Sequence, residues 1–297
     1  MTVAEPSSMT LSGGRVLAYY EYGDKRGAPC FYVPGTPVSG LAGAAYDDAA
    51  RSAGVRWISV DKPGYGHSDF NPRGTLLGFC DDVTELADHL GLDSFAVAGE
   101  SGGGPYALAL AYRLAGRLTV SLVLAGMGPG QERWARKGMR PSNWLLLMAA
   151  QRASWLLRPM MSGLAWMVAD DKRSARMGAR QAKRLPAADK QIYEQFGDVD
   201  TLSVRDSFRQ GIAGSLREAA ILAGPWGFRV EDIRARVELW HGSADVNVPI
   251  ALAEHVSQRV PNCTLHYLEG VGHAAGHVAA EDVMATVTRA AAGQAIS

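Results

Sequence analysis

The sequence predicts an α/β fold: a mostly parallel sheet that is flanked by helices and interrupted by a helical insertion. Short apolar runs alternate with amphipathic helical patterns, which is typical of chains that form parallel sheets. The alternation stops near Gly126 and resumes at Val237. The chain has 297 residues, of which 47% are hydrophobic and 20% charged, so it is long enough for one large core that carries an insertion.

Each predicted strand and helix follows from the period of its apolar residues. Seven apolar runs predict strands, at residues 16–22, 30–33, 56–60, 95–98, 118–124, 237–240 and 265–268. Helical patterns lie between most of them, at residues 42–53, 75–90, 105–112, 249–260 and 278–292. The helix at 75–90 is the clearest, because Phe79, Val83 and Leu86 recur at three- and four-residue steps while acidic residues face away.

The break in this rhythm divides the chain into a core, residues 1–127 and 230–297, and an insertion at residues 128–229. The insertion has few strand-like runs. Its Trp and Met residues recur at helical spacing, which is more typical of a helical core than of a binding surface. They are Trp134, Met139, Trp144, Met148, Trp155, Met160, Met161, Trp166 and Met167. A solvated helix face is expected for the basic residues Arg133, Arg136, Lys137 and Arg140.

The charge balance and the cysteines indicate which partners and which cellular compartment to expect. Lys+Arg and Asp+Glu both number 30, so the balance gives no sign of binding to nucleic acid or to an acidic membrane. Cys30, Cys80 and Cys263 are widely separated, which predicts buried thiols in a reducing compartment. The N-terminal residues lack the pattern of a signal peptide, and charged residues interrupt the apolar stretch at 144–168. We therefore expect a cytoplasmic protein without stable membrane association.

The most informative motif is Gly99-Glu100-Ser101-Gly102-Gly103, between a predicted strand and a predicted helix. In this context Gly-x-Ser-x-Gly is typical of a nucleophile elbow. The sharp turn strains the backbone of the serine, so its neighbours must have little or no side chain. A P-loop is excluded because no Gly-Lys-Ser/Thr follows, and the match to a dinucleotide fingerprint is poor. On local context alone, a tight structural turn remains the alternative.

A serine nucleophile needs a general base and a carboxylate that orients it. Asp245 lies just past the strand at 237–240, where helix capping or a turn is the alternative role. His273 follows the strand at 265–268 directly after a Gly-x-Gly turn, which lets the loop reach the elbow. It is preferred over His277, which falls where the last helix begins. His241 is expected to be structural, at the end of its strand.

Acyl transfer also needs two N–H donors for the oxyanion. Gly102, directly after the nucleophile, is one candidate. Thr36, in the loop Pro34-Gly35-Thr36-Pro37 that follows the strand at 30–33, is the other, since Pro37 has no N–H. The sequence has neither His-Glu-x-x-His nor Cys-x-x-Cys, so no catalytic metal and no other cofactor is expected.

In this order, the oxyanion loop, the elbow, the acid and the histidine resemble the α/β-hydrolase family. The segment Asp61-Lys62-Pro63-Gly64-Tyr65-Gly66-His67-Ser68 is similar to the family's Asp-x-Pro-Gly-x-Gly-x-Ser. The resemblance implies a Ser101–His273–Asp245 triad, an oxyanion hole formed by Thr36 and Gly102, and a helical cap in the insertion. One departure is Pro34, which stands where family members usually carry a histidine that braces the loop. A serine nucleophile also argues against the dehalogenase and epoxide-hydrolase branches.

The resemblance implies a cofactor-free serine hydrolase that cleaves a carboxylic ester of a small or medium apolar or aromatic molecule. Several alternatives stay open. The same triad can cleave a C–C bond next to a ketone, or act as a lyase or acyltransferase. A weakly catalytic ligand-binding protein on this fold and a lid-dependent lipase are the others. The expected partner is a small apolar substrate.

Overall fold

The structure is a computed structural model that describes residues 5–129 and 141–294. Trp134, Met139 and the basic residues at 133, 136, 137 and 140 lie outside the described residues. Eight strands form one sheet: β1 Ser7–Thr10, β2 Val16–Gly23, β3 Ala28–Val33, β4 Val55–Val60, β5 Phe95–Glu100, β6 Leu118–Leu124, β7 Val237–Gly242 and β8 Cys263–Leu268. Their order is β1-β2-β4-β3-β5-β6-β7-β8, and only the pairings of β2 with β1 and β4 are antiparallel. The predicted mostly parallel sheet is confirmed.

Helices fill the connections from β3 onward and follow β8. They are α1 Asp47–Ala53, α2 Leu76–His89, α3 Gly104–Arg113, α4 Pro141–Ala153, α5 Arg158–Val168, α6 Asp171–Ala182, α7 Ala187–Ser207, α8 Ala213–Ala223, α9 Ile250–Arg259, α10 Ala275–Val278 and α11 Ala280–Ala291. Helices α4 to α8 all lie between β6 and β7. Within residues 141–229 the structure has helices and turns and no strand.

The sheet is buried on both faces, as a mostly parallel sheet must be. Alternate side chains of β3 show this: Phe31 packs with α2 and α3 on one face, and Tyr32 packs near α1 and α11 on the other. Thr75 is the N-cap of α2: its side chain accepts a hydrogen bond from the backbone N–H of Gly78 at 2.9 Å. Helices on both faces leave the carboxyl ends of the parallel strands as the place where loops can form a site.

Several boundaries differ from the prediction. The polar edge strand β1 was not predicted, because Ser7–Thr10 has no apolar run. The predicted helix at 42–53 is a 3₁₀ helix, Gly40–Tyr46, followed by α1. The predicted helix at 278–292 is the short α10 followed by α11.

Burial in the insertion and at one cysteine also differs from the expectation. Trp155 and Trp166 were expected in a helical core, yet they are 65% and 58% exposed. The ring of Trp166 instead packs against the guanidinium of Arg173, 3.8 Å from the ring centroid. Cys30 and Cys80 are buried as predicted, whereas Cys263 is only half-buried on the edge strand β8. Among the described residues, no helix combines the length and apolar character that a membrane span requires.

Candidate active site

The turn after β5 holds Ser101 in a strained backbone conformation. Its φ is +51°, in the left-handed region that side chains other than glycine rarely occupy. The surrounding glycines are required by space: a Cβ on Gly99 would lie 2.3 Å from the carbonyl oxygen of Gly103, and one on Gly103 would lie 2.0 Å from that of Val33. The predicted elbow therefore has the geometry that exposes a serine between strand and helix.

The loops after β7 and β8 bring a carboxylate and an imidazole to Ser101. His273 Nε2 lies 2.9 Å from Ser101 Oγ, and His273 Nδ1 lies 2.7 Å from Asp245 Oδ2. The other carboxylate oxygen of Asp245 accepts hydrogen bonds from the backbone N–H groups of Asn247 and Val248, at 2.8 and 2.9 Å. Asp245 is thus held in place by backbone donors while it faces His273. The three side chains form one hydrogen-bonded row.

Opposite effects set the protonation of this row. Burial alone would raise the pKa of Asp245, but the hydrogen bond and charge of His273 hold it below its ordinary value. Burial would lower the pKa of His273, yet the hydrogen bond and charge of Asp245 raise it above the ordinary histidine value. The arrangement therefore stabilises an imidazolium next to a carboxylate, which is the charge pair that proton abstraction from Ser101 would create.

His241 lies next to the row, near the end of β7. Its Nε2 is 2.7 Å from the carbonyl oxygen of Val248, in the loop that carries Asp245. Burial lowers the pKa of His241, so the neutral form is favoured.

Within residues 5–129 and 141–294, no cluster of three or more His, Cys, Asp or Glu side chains is placed to hold a metal ion.

The loop after β3 faces the elbow closely. A Cβ on Gly35 would lie 3.3 Å from the Cβ of Ser101, and a Cβ on Gly102 would lie 2.2 Å from Thr36 Oγ1. The absence of side chains at Gly35 and Gly102 lets the two loops approach this closely. The backbone N–H groups of Thr36 and Gly102 consequently belong to residues that meet beside the Ser101 hydroxyl. Two N–H donors that point at the same place beside a nucleophile would stabilise a developing negative charge there.

His277 contacts a different carboxylate from the one that His273 contacts. Its Nδ1 lies 3.3 Å from Glu100 Oε1, and its ring stacks on Tyr46 with the centroids 4.5 Å apart. Glu100 also accepts a hydrogen bond from the Tyr32 hydroxyl. His277 lines the cavity next to Ser101, but it is His273 that reaches the serine.

A cavity of about 320 Å³ lies over Ser101, between the sheet edge and helices α6 and α7. Its apolar lining includes Val168, Met177, Leu185, Ile192 and Val204. Polar groups, among them Gln181, Tyr193 and Asp200, are interspersed. The size suits a small ligand, and Ser101 and His273 are both accessible from it.

A sequence model of the alpha/beta hydrolase family matches residues 27–286. The chain belongs to this family. By sequence, this hydrolase is 28% identical to the pimeloyl-[acyl-carrier protein] methyl ester esterase of Aromatoleum aromaticum over 233 residues, 75% of this chain and 82% of that protein.

Other relatives are more distant or match over shorter segments. A dihydrolipoyllysine-residue acetyltransferase component of the acetoin cleaving system of Pseudomonas putida is 32% identical over 120 residues, 40% of this chain. This hydrolase spans only about a third of that protein, 32% of its length. Among solved structures, an esterase from Exiguobacterium antarcticum has a TM-score of 0.69 at 17% identity, covering 97% of this chain and 100% of that one. At such low identity the likeness shows the fold.

One residue of the hydrolase site gave no signal in the sequence. Asp189, near the start of α7, is buried and accepts hydrogen bonds from the backbone N–H groups of Gly272 and Ala274, at 2.7 and 3.0 Å. It fixes the loop on both sides of His273 from the helical insertion. These contacts join residues more than 80 positions apart, so no local pattern could predict them.

Proposed function

We propose that this alpha/beta hydrolase is a cofactor-free serine hydrolase that cleaves a carboxylic ester of a small or medium apolar molecule. The observation that carries the proposal is the hydrogen-bonded row of Ser101, His273 and Asp245 at the cavity. It provides a nucleophile, a general base and an orienting carboxylate, which acyl transfer requires. The relative that is named as a methyl ester esterase supports an ester as the bond cleaved.

In the proposed reaction, His273 Nε2 accepts the proton of Ser101 as its Oγ attacks the ester carbonyl carbon. The carbonyl oxygen becomes an oxyanion that accepts hydrogen bonds from the backbone N–H groups of Gly102 and Thr36. Asp245 stabilises the imidazolium throughout. The C–O bond to the alcohol then breaks, and the alcohol takes the proton from His273.

The second half of the reaction repeats these roles with water. Water gives a proton to His273 and attacks the acyl group on Ser101. The bond between the acyl carbon and Ser101 Oγ breaks, Oγ regains the proton from His273, and the carboxylic acid leaves. Ser101 and His273 end the cycle in their starting protonation states, and no electrons are transferred, so the cycle needs no cofactor.

The helical insertion completes this proposal as a cap. Helices α6 and α7 supply Met177 and Ile192 to the cavity wall, opposite the elbow. Such a wall favours a small apolar acyl group and reduces the access of water to the reacting carbonyl. The proposed partner is thus a small apolar ester, and the proposed location is the cytoplasm.

The experiment is steady-state hydrolysis of a panel of p-nitrophenyl and alkyl esters by the parent and by Ser101→Ala. We expect kcat to fall on the order of a millionfold, because the nucleophile is lost. A fluorophosphonate probe should label the parent at Ser101 and leave Ser101→Ala unlabelled. Ser52→Ala, which removes an exposed hydroxyl on α1, is the matched control and should keep the parent rate.

Three results would contradict the proposal. One is near-parental ester hydrolysis by Ser101→Ala. Another is a parent that takes up the probe but cleaves only β-diketones or cyanohydrins in a parallel panel, which would point to C–C bond cleavage or a lyase. The third is tight ligand binding without turnover, which would indicate a binding protein instead.

A further inference from the structure

Lys62 is a fully buried cation that the proposed reaction does not use. It follows Asp61 at the carboxyl end of β4, and its side chain is 1% exposed. The ammonium donates hydrogen bonds to the carbonyl oxygens of Pro34 and Gly35, at 2.9 and 2.8 Å. It also forms an ion pair with Glu218 on α8, at 2.5 Å. A buried charge is costly unless it is paired, so this one calls for an explanation.

The contact to Gly35 bears directly on the oxyanion loop. The carbonyl of Gly35 and the N–H of Thr36 belong to one planar trans peptide group, in which they point in opposite directions. Two donors hold that carbonyl: the Lys62 ammonium and, at 3.1 Å, the backbone N–H of Val38. Fixing the carbonyl on the side of Lys62 therefore fixes the Thr36 N–H on the opposite side. A cation on the carbonyl also polarises the peptide and strengthens its N–H as a donor.

Pro34 explains why the loop needs this contact. Proline offers neither a donor side chain nor a backbone N–H with which the loop could brace itself. Gly35 adds conformational freedom to the same loop. Lys62 bonds the carbonyls of both residues from outside the loop, so it supplies the support that the loop itself lacks.

The other end of the ion pair is anchored in the helical insertion. Glu218 is 2% exposed, and its second oxygen accepts a hydrogen bond from the Tyr65 hydroxyl at 2.5 Å. Helix α8 also lies directly against the Asp61–Ser68 segment: a Cβ on Gly214 would lie 2.5 Å from the carbonyl oxygen of Gly64. Lys62 therefore links α8 to the oxyanion loop, because its ammonium contacts both Glu218 and the loop carbonyls.

The structure assigns Lys62 and Glu218 a positioning role: together they hold the Gly35–Thr36 peptide so that the Thr36 N–H faces the oxyanion. The inference rests on the proposed function, in which Thr36 is an oxyanion donor. It goes beyond that function by making an insertion residue, Glu218, part of the support for the transition state. Neither residue touches the substrate.

The test compares the parent with Lys62→Met and with the double variant Lys62→Met/Glu218→Met. The single variant leaves Glu218 buried and unpaired, so it is expected to lower stability. The double variant removes both charges and should fold, because well-packed apolar residues often replace a buried ion pair without loss. Lys25→Met, which removes an exposed ammonium between β2 and β3, is the control and should behave as the parent.

The expected result is a double variant whose melting temperature recovers relative to the single variant but whose kcat does not. We expect kcat of the double variant to be about 10- to 100-fold below the parent, with KM within about threefold, since a misplaced oxyanion donor weakens transition-state binding alone. The affinity for a trifluoromethyl ketone, which forms a tetrahedral oxyanion adduct with Ser101, should fall by a similar factor.

The inference is overturned if the double variant keeps kcat and ketone affinity within about twofold of the parent. It is equally overturned if the loss lies in KM alone, which would mean that the pair only shapes the cavity. The ketone measurement also separates the two proposals. A parent that binds the ketone at Ser101 but hydrolyses no ester contradicts the proposed substrate class, while the ketone affinities of the variants still decide the role of Lys62.

Discussion

At the scale of single residues, two histidines four positions apart contact different carboxylates. His273 bonds Asp245 and Ser101, whereas His277 bonds Glu100 and stacks on Tyr46. Both lie where burial would lower their pKa, and in both a carboxylate raises it above the ordinary value. Their pKa shifts alone do not distinguish them. The contact with the Ser101 hydroxyl does, and it is the reason that His273 is the proposed base.

The pH dependence of kcat/KM should identify the same histidine. His273 accepts a proton from Ser101 only when it is neutral, so activity should fall as the pH drops through its pKa. Because Asp245 raises that pKa against the effect of burial, the acid limb of the parent should lie above about 6.5. Asp245→Asn removes the raising charge, so its acid limb should move to lower pH while kcat falls on the order of 10⁴-fold. The measurement is kcat/KM from about pH 5 to about pH 9.

His277→Ala is the comparison for this profile. It removes the other raised histidine without touching Asp245, so its acid limb should stay within about half a pH unit of the parent. An acid limb that shifts in His277→Ala and stays in place in Asp245→Asn would assign the base to His277 instead.

The site residues that could be predicted are those whose chemistry is local in the sequence. Ser101 and Gly102 follow from a pentapeptide between a strand and a helix, and His273 follows from a Gly-x-Gly turn at a strand end. Asp189 and Glu218 have no such signal, because each acts on a backbone or side chain far away in the chain. Glu218, for example, is 153 residues from Tyr65, whose hydroxyl it binds. Only tertiary packing brings these groups together.

At the scale of elements, strands and long helices could be predicted because their apolar residues face a core at a regular period. The misplaced boundaries have local causes. Gly40–Tyr46 forms 3₁₀ turns that pack too closely for a regular side-chain stripe: a Cβ on Gly43 would lie 2.6 Å from the Cβ of Ser59. The polar β1 is held by its pairing with β2 rather than by burial. Periodicity therefore finds elements that a core holds and misses those that other contacts hold.

Close packing of α8 should reverse the usual effect of a glycine-to-alanine change in a helix. In an exposed helix interior this change stabilises by about 0.5–1 kcal/mol. Gly163 in α5 has nothing within 4 Å of its Cβ direction, so Gly163→Ala should show that gain. Gly214→Ala should instead destabilise by about 1–3 kcal/mol, because its Cβ would lie 2.5 Å from the carbonyl oxygen of Gly64. Urea unfolding gives both free energies.

The pair of glycine variants tests whether α8 is seated against the Asp61–Ser68 segment. Equal stabilisation by the two alanines would mean that the helix stands away from that segment. It would also remove the route by which Glu218 reaches Lys62.

At the scale of the whole molecule, the helical insertion contacts both loops on which the proposed chemistry depends. Asp189 on α7 holds the loop of His273, and Glu218 on α8 reaches the oxyanion loop through Lys62. The sequence indicated an insertion after β6 but not these contacts. The described lining of the cavity contains Met177 and Ile192 and no Trp. The insertion thus combines support of the site with the shape of the cavity.

The cavity of about 320 Å³ should limit the length of the acyl group. We expect p-nitrophenyl esters with acyl chains of about two to six carbons to be the best substrates, with activity falling for longer chains. Met177→Trp enlarges a wall residue of α6. It should lower kcat/KM for the hexanoate relative to the acetate by about tenfold or more, since a change of about one methylene in a pocket can alter selectivity by that factor.

The control for this prediction is Met160→Trp, because Met160 is exposed on α5 and does not line the cavity. It makes the same chemical change at a site that leaves the acyl group untouched, so the hexanoate-to-acetate ratio should match the parent. A ratio that falls equally in both variants would mean that the substitutions act through the stability of the insertion. A ratio unchanged in Met177→Trp would place the acyl group elsewhere, most directly in the neighbouring cavity that borders Asp245 and His273 and is lined by Arg180 and Arg184. The two variants together therefore decide on which side of His273 the acyl group binds.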